Sequence, residues 1–296
     1  MKIPHTEKSI SRRVLLRRSV GVAAFAAAAS SLGPLLAAPA SRWFKIGACD
    51  WALGKRNDPA AFQVAKSIGL DGVQVDLCTA GTRHLRDPQI QAAYRDAARR
   101  SGLEIASLAL LELNNVPLKS DPRAALWLGE SIDVCKALGV NVVLAAFFVA
   151  GELDMQRTGE IDRVVKILKQ VAPKAERQGV VIGLEDYLSA EDNLRILDRV
   201  GSPAVKVYYD VGNSTDKGRD VAKEIRALAG RVCEFHAKDG PYMLGQGRID
   251  FKAVRKAMDD IQYSGWIQIE AATPHGPVAD YTVDRKYLKG IFPRQG

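Results

Sequence analysis

From Phe44 onward the chain repeats one rhythm. A short run of apolar and β-branched residues gives way to a longer stretch with helical spacing, and the pair recurs eight times. The short runs fall at 44–49, 72–77, 103–110, 141–147, 180–185, 205–210, 232–239 and 267–270. Three of the intervening helices should open at Asp58-Pro59, Asp87-Pro88 and Asp121-Pro122, where an N-cap acid precedes a first-turn proline. The others are expected over about 158–177, 190–200, 220–229, 250–260 and 281–289. Gly69, Gly102, Gly139, Gly179 and Gly265 stand just before strands, where helix C-caps belong. Strict alternation predicts a parallel sheet. Eight units in one domain predict that it closes into a (β/α)₈ TIM barrel. A doubly wound sheet would carry Gly-x-Gly-x-x-Gly after its first strand, and the chain has none there.

The rhythm starts only after an N-terminal segment of another kind. Ser11-Arg-Arg-Val-Leu-Leu16 is a twin-arginine signature, an Ala-rich run follows, and Ala38-Pro39-Ala40 offers small residues for cleavage. Residues 1–40 are therefore expected to be a twin-arginine signal peptide, and 41–296 the barrel, in a periplasmic or secreted protein. The run is broken by Gly33-Pro34 and only weakly hydrophobic, so no stable membrane anchor is expected.

Removing that segment changes the charge balance. The whole chain has 42 Lys/Arg against 34 Asp/Glu, and six of the bases but one of the acids lie in residues 1–40, leaving 36 against 33. The basic excess belongs mostly to the leader, and nucleic-acid binding loses its main support. Cys49, Cys78, Cys135 and Cys233 contain no close-spaced pair, which excludes a zinc knuckle or thioredoxin-type motif. A Cys49–Cys78 disulfide is conceivable in an oxidising compartment, but dispersed buried thiols are the expectation.

The chemistry concentrates at strand ends. Glu185, Asp210, His236 and Glu270 close the fifth to eighth runs, and in a barrel the C-terminal strand ends carry the active site. Four consecutive strand ends line one half of the mouth, so these side chains can converge on one divalent ion. Three carboxylates and one imidazole favour Mn²⁺, Co²⁺ or Mg²⁺, with Zn²⁺ also accommodated. Lys238 could offset the surplus negative charge and contact substrate. Asp76, Glu112, Asn114 and Asn115 could hydrogen-bond a polar substrate, and Trp51 or Phe147-Phe148 could stack on one. His84 and His275 fall in loops on the same side. Glu234 shares the inward parity of His236, with Lys206 and Gln268 as expected partners in a structural polar layer.

Gly183-Leu-Glu-Asp186, Tyr209-Asp-Val-Gly-Asn213, Phe235-His-Ala-Lys-Asp239, Leu244-Gly-Gln-Gly-Arg-Ile-Asp-Phe251 and Ile269-Glu270 resemble the xylose-isomerase-like family of TIM barrels. That family includes sugar (phosphate) isomerases, ketose 3-epimerases and inosose dehydratases. The resemblance implies one divalent metal on Glu185, Asp210, His236 and Glu270, and a small carbohydrate substrate. It also leaves a homodimer open. Many members carry histidine three residues after the aspartate, where this chain departs with Asn213, still a candidate substrate-binding residue. The endonuclease IV branch needs many histidines. Beyond the leader this chain has only His84, His236 and His275, which excludes DNA repair.

A metal that chelates a carbonyl and an adjacent hydroxyl acidifies the C–H between them, and two carboxylates can remove and return the proton. Glu185 and Glu270 fit that pair, which gives a sugar isomerase or epimerase working through an enediolate. Expulsion of a β-leaving group would instead give a dehydratase or lyase on a keto-sugar, keto-glycoside or inosose. A non-catalytic sugar-binding barrel is the third alternative, and the intact Glu185/Glu270 pair counts against it.

Overall fold

The computed structural model describes residues 43–78 and 84–293. The expected twin-arginine leader and cleavage site lie outside the described residues. Eight parallel strands follow in chain order: β1 (Phe44–Cys49), β2 (Gly72–Asp76), β3 (Glu104–Leu110), β4 (Val142–Ala146), β5 (Val181–Glu185), β6 (Val205–Asp210), β7 (Val232–Ala237) and β8 (Gly265–Ile269). Each bonds to the next, and β8 returns to β1 with Ile46 opposite Ile267, closing the barrel. Around it run α1 (Ala61–Ile68), α2 (Pro88–Ser101), α3 (Pro122–Leu138), α4 (Thr158–Gln178), α5 (Ala190–Val200), α6 (Val211–Asp216), α7 (Val221–Leu228), α8 (Phe251–Asp260) and α9 (Pro277–Ile291). Among the described residues no helix is long and apolar enough to cross a membrane.

Six of the expected caps are realised at helix ends. Asp87 and Asp121 accept from the backbone N–H two residues on (2.8 and 2.9 Å), each beside a first-turn proline. Such a cap stabilises a helix by ~1 kcal/mol. Asp58 behaves differently. It caps a tight turn by accepting from Ala60 N at 2.9 Å, and the α-helix begins only at Ala61. Gly69, Gly102, Gly139 and Gly179 end helices in the left-handed conformation, as expected. Gly265 does not. It opens β8, and the turn before it is made by Gln262 at φ 56°. The four cysteines are free thiols, so no Cys49–Cys78 disulfide is formed.

Apolar burial is split between two layers. The outer faces of the strands pack on the helices through a continuous set that includes Ile46, Val75, Leu108, Val143, Ile182, Val207, Phe235 and Ile267. Each such side chain contributes roughly 1.5–3 kcal/mol when fully buried. Inside the barrel the apolar lining shrinks to Ala109, Val142, Leu144, Ala146 and Tyr208. Much of the remaining interior is polar and fully enclosed, with Gln74, Ser107, Glu234, His236 and Gln268. Gln268 needs Gly47 opposite it, because any side chain at 47 would collide with its amide. The expected place of Lys206 in this layer is not realised. Tyr208, not Lys206, stands opposite Glu234, after a β6–β7 register shift between Val207 and Tyr208. Lys206 lies one layer nearer the N-terminal end and its amine donates to Gly230 O at 3.0 Å.

Candidate metal centre and active site

The C-terminal ends of β5, β6 and β7 present Glu185, Asp210 and His236, and Glu270 follows β8 directly. One donor atom from each lies within 4.8 Å of the other three. Glu185, Asp210 and His236 are buried, and Glu270 keeps 22% of its side chain exposed, towards the mouth. His236 Nδ1 lies 2.7 Å from Glu185 Oε1 and 3.7 Å from Glu270 Oε2.

Local structure aims each group. Asp210 is the N-cap of the short α6, and its Oδ1 accepts from Gly212 N (2.7 Å) and Asn213 N (3.1 Å). Its Oδ2 is left to face the cluster. Trp51 Nε1 donates to Glu270 Oε1 at 2.7 Å and so fixes that carboxylate's rotamer. Lys238 Nζ lies 3.2 Å from Asp210 Oδ2 and 2.9 Å from Glu270 Oε2. Its stem lies against Gly212, where an added Cβ would come within 2.7 Å of Lys238 Cγ. Asp239, next in sequence, turns away and anchors the following loop. It accepts from the N–H groups of Gly245, Gly247 and Ile249 at 2.9, 3.0 and 3.1 Å. The Leu244–Phe251 stretch is held by Asp239 and supplies no ligand to the cluster.

The charges are strongly perturbed. Burial raises the Glu185 carboxyl above its ordinary value and outweighs the attraction of His236. Burial alone would depress the His236 imidazolium, but Glu185 holds its second proton and the balance is upward. The Glu185–His236 contact thus holds a proton at neutral pH, one that a 2+ ion bound there must expel. Burial also opposes ionisation of Glu270, but His236 and Lys238 win and hold it below the usual range.

Above the cluster is a cavity of about 190 Å³ lined by Trp51, Leu111, Asn114, Phe148, Glu185, Tyr187, Asn213, Lys238 and Glu270. Phe148 and Tyr187 meet edge-on at 4.8 Å between ring centres and form one aromatic wall. A roomier groove of about 620 Å³ beside it is bounded by Lys119, Asp154 and Arg157. Its cations are already paired, Lys119 and Arg157 both with Glu160, and it contains none of the clustered donors.

A scan of family models matches residues 62–291 to the xylose isomerase-like TIM barrel. The chain belongs to that family. Among curated relatives it is 28% identical over 202 residues to a 2-epi-5-epi-valiolone 7-phosphate 2-epimerase of Actinoplanes sp., covering 67% of this chain and 73% of that protein. It is 25% identical over 256 residues to the L-ribulose-5-phosphate 3-epimerase of Escherichia coli, covering 79% and 89%. The crystal structure of D-allulose 3-epimerase from Methylomonas sp. superposes with a TM-score of 0.69 at 18% identity, covering 85% of this chain and 98% of that one.

In this xylose isomerase-like barrel, Trp51, Asn213 and Lys238 reach the cavity, and Asp76 and Glu112 are among the candidates that do not. Asp76 is tied to Arg56 Nε at 2.6 Å, and Glu112 lies 4.0 Å from the same guanidinium, at the ends of β2 and β3. Asn115 ends a 3₁₀ turn, whereas Asn114 both lines the cavity and accepts from Phe148 N at 3.0 Å. Phe147 is buried in the outer layer. His275 is held by Asp280 at 3.0 Å with its ring largely exposed, and neither it nor His84 belongs to the cavity lining. Two residues not singled out from sequence are present. Tyr187 comes from the β5–α5 loop, and Gln74 touches His236 from inside the barrel at 2.7 Å.

Asp50, behind Asp76, carries a pH prediction. Burial and the Asp76 carboxylate push its pKa up to about 8, from 3.8. The folded chain therefore binds a proton that the unfolded chain releases at lower pH. This group leaves stability untouched below pH ~4 and subtracts increasingly from it up to pH ~8, at no more than ~1.4 kcal/mol per unit. Asp50→Asn keeps the acceptor for Asn57 N and Asp76 N. It should flatten the melting temperature between pH 5 and 8 and raise it by ~5 °C at pH 8.5. An unchanged slope in thermal scans would reject the assignment.

Proposed function

We propose that this chain is an exported, divalent-metal-dependent sugar epimerase or isomerase that moves a proton at a carbon beside a carbonyl. The observation that supports this most is the convergence of Glu185, Asp210, His236 and Glu270 at the foot of an aromatic-walled cavity. The curated relatives, a 2-epimerase and a 3-epimerase, favour proton return over loss of a leaving group.

The donor set fits a 2+ ion. Three carboxylates and an imidazole are hard-to-borderline ligands. Asp210 Oδ2 is buried with only the Lys238 ammonium facing it, which leaves an acceptor for a cation. Bound to these four residues, the ion would polarise a substrate carbonyl and acidify the neighbouring C–H.

The protein's own groups then divide the work. Glu270, held ionised by Lys238 and His236, is the better base in this arrangement. Glu185 is the second carboxylate facing the cavity. They approach from β5 and from just beyond β8, the two ends of the four-strand arc, so one can take a proton from one face of the carbon while the other delivers its own proton to the opposite face. Trp51, Phe148 and Tyr187 offer apolar faces for a sugar ring and keep water out. Asn213 and Asn114 supply hydrogen-bonding groups for hydroxyls. Lys238 is the sole cation among the described lining residues, and it is paired twice. An unphosphorylated ketose or related polyol therefore suits the cavity better than a sugar phosphate.

The test is solvent exchange. Protein recovered from a periplasmic extract and loaded with Mn²⁺ is incubated in D₂O with free ketoses, keto-glycosides and ketose phosphates. Deuterium should appear beside the carbonyl of a free sugar, with the epimer or isomer formed alongside it. No incorporation from any sugar would overturn the enzymatic reading, and exchange only in phosphates would overturn the substrate class. Loss of the periplasmic pool on Arg12→Lys with Arg13→Lys supports export, and its persistence would refute the twin-arginine route.

A further inference from the structure

The polar chain beneath the centre has a direction. Glu234 points into the barrel from β7, and one oxygen of it, Oε2, meets Ser107 Oγ at 2.8 Å and Tyr208 OH at 3.0 Å. Each hydroxyl owns one hydrogen, and donating it to an ionised Glu234 leaves only lone pairs for the next neighbour. That neighbour is the same for both. Gln74 Nε2 lies 3.2 Å from Ser107 Oγ and 3.0 Å from Tyr208 OH. Two amide hydrogens therefore meet two acceptors, and the amide oxygen is turned the opposite way. There Gln74 Oε1 lies 2.7 Å from His236 Nε2 and accepts from Cys49 Sγ at 3.2 Å. An amide oxygen cannot donate, so His236 Nε2 must carry a hydrogen. Nδ1 is then the nitrogen presented to Glu185 and Glu270.

We infer that Gln74, oriented by Ser107, Tyr208 and Glu234, is a positioning residue that fixes His236 as the Nε2–H tautomer and delivers Nδ1 to the metal. This rests on the metal-dependent reading above.

The backbone is arranged for it. The β2–β3 register shifts between Val73 and Gln74, which seats Gln74 opposite Ser107. The shift between Val207 and Tyr208 seats Tyr208 opposite Glu234. All four side chains are essentially inaccessible to solvent. The Tyr208 ring also packs on His236 at 4.6 Å between centres, so the imidazole's tilt is constrained along with its proton. A polar filler needs only to be satisfied, in any direction. A chain whose every donor runs away from the ligand histidine instead specifies one nitrogen for the ion, as outer partners of metal-bound histidines commonly do.

Protein labelled with ¹⁵N-histidine and loaded with Zn²⁺ tests this directly. The His236 signal, assigned by its loss in His236→Asn, should show the proton on Nε2 and the metal on Nδ1. Gln74→Met, which removes the acceptor, should weaken Zn²⁺ binding by ~10–100-fold and bring in the second tautomer. Gln74→Glu, which restores an acceptor, should keep the Nε2–H form. Glu234→Gln can donate to the two hydroxyls and let the chain reverse, so it should admit the second tautomer with a smaller loss of affinity. A wild-type proton on Nδ1, a result that needs no variant to fold, would overturn the inference. So would Gln74→Met with unchanged tautomer and affinity. Wild-type protein that takes up no Zn²⁺ would instead defeat the metal-dependent reading, and this inference with it.

Discussion

Glu270→Gln should abolish epimer interconversion, with turnover falling by at least ~10³-fold, while sugar affinity changes little. Glutamine keeps the shape and still accepts from Trp51 Nε1, so the wall of the cavity stays in place. It cannot take up a proton. Glu185→Gln should lose interconversion to a similar degree, but the two variants should differ in what remains. If each carboxylate serves one face of the reacting carbon, each variant keeps solvent deuterium exchange into one epimer and loses it from the other. The two patterns should be reciprocal. A single-base enzyme would instead lose all exchange in one variant only. A sugar-binding barrel without activity would show none in the wild type, and its sugar affinity would survive both changes. Metal content must be measured on both variants, since each removes a charged donor from the cluster.

The barrel was legible because its signals are local and repeated. Asp87 and Asp121 with their prolines mark helix starts, and the apolar runs mark strands wherever the sheet is covered on its outer face. The ligand-like cluster was legible for a related reason. Four consecutive strand ends are neighbours in any closed barrel, so placement followed once the strands were counted. What sequence could not give is register. Lys206 and Glu234 share an inward parity, yet Lys206 sits one layer away, and the shift at Val207/Tyr208 brings Tyr208 rather than Tyr209 opposite the acid. Gln74 looked like an ordinary strand residue, because its partners Tyr208 and His236 lie 134 and 162 positions away across the barrel. The 3₁₀ turn Leu111–Asn114 and the helix Val211–Asp216 are too short for periodicity to declare. The only mark of the latter was Asp210, read from sequence as a ligand and found also to be its N-cap.

Metal dependence makes the other large prediction. Wild-type protein purified without chelator should contain about one equivalent of divalent metal, and His236→Ala should contain almost none. Without the imidazole, three carboxylates remain within one small, mostly buried space, and Lys238 is the cation left beside them. The consequence is readable without any substrate. Binding to the folded state alone stabilises it by ~2.7 kcal/mol at a hundredfold excess over Kd. In a barrel of this size that corresponds to a rise of roughly 5–10 °C in melting temperature. Stripped wild-type protein should show that rise on addition of Mn²⁺ or Co²⁺, and His236→Ala should melt at the same temperature with or without the ion. The shift should also shrink as the pH falls, because the proton held between Glu185 and His236 competes with the ion. A wild type that neither retains metal nor responds to Mn²⁺, Co²⁺, Mg²⁺ or Zn²⁺ would mean that the proton and Lys238 are the cluster's resident charges. The barrel would then bind sugars, if at all, without the means to enolise them.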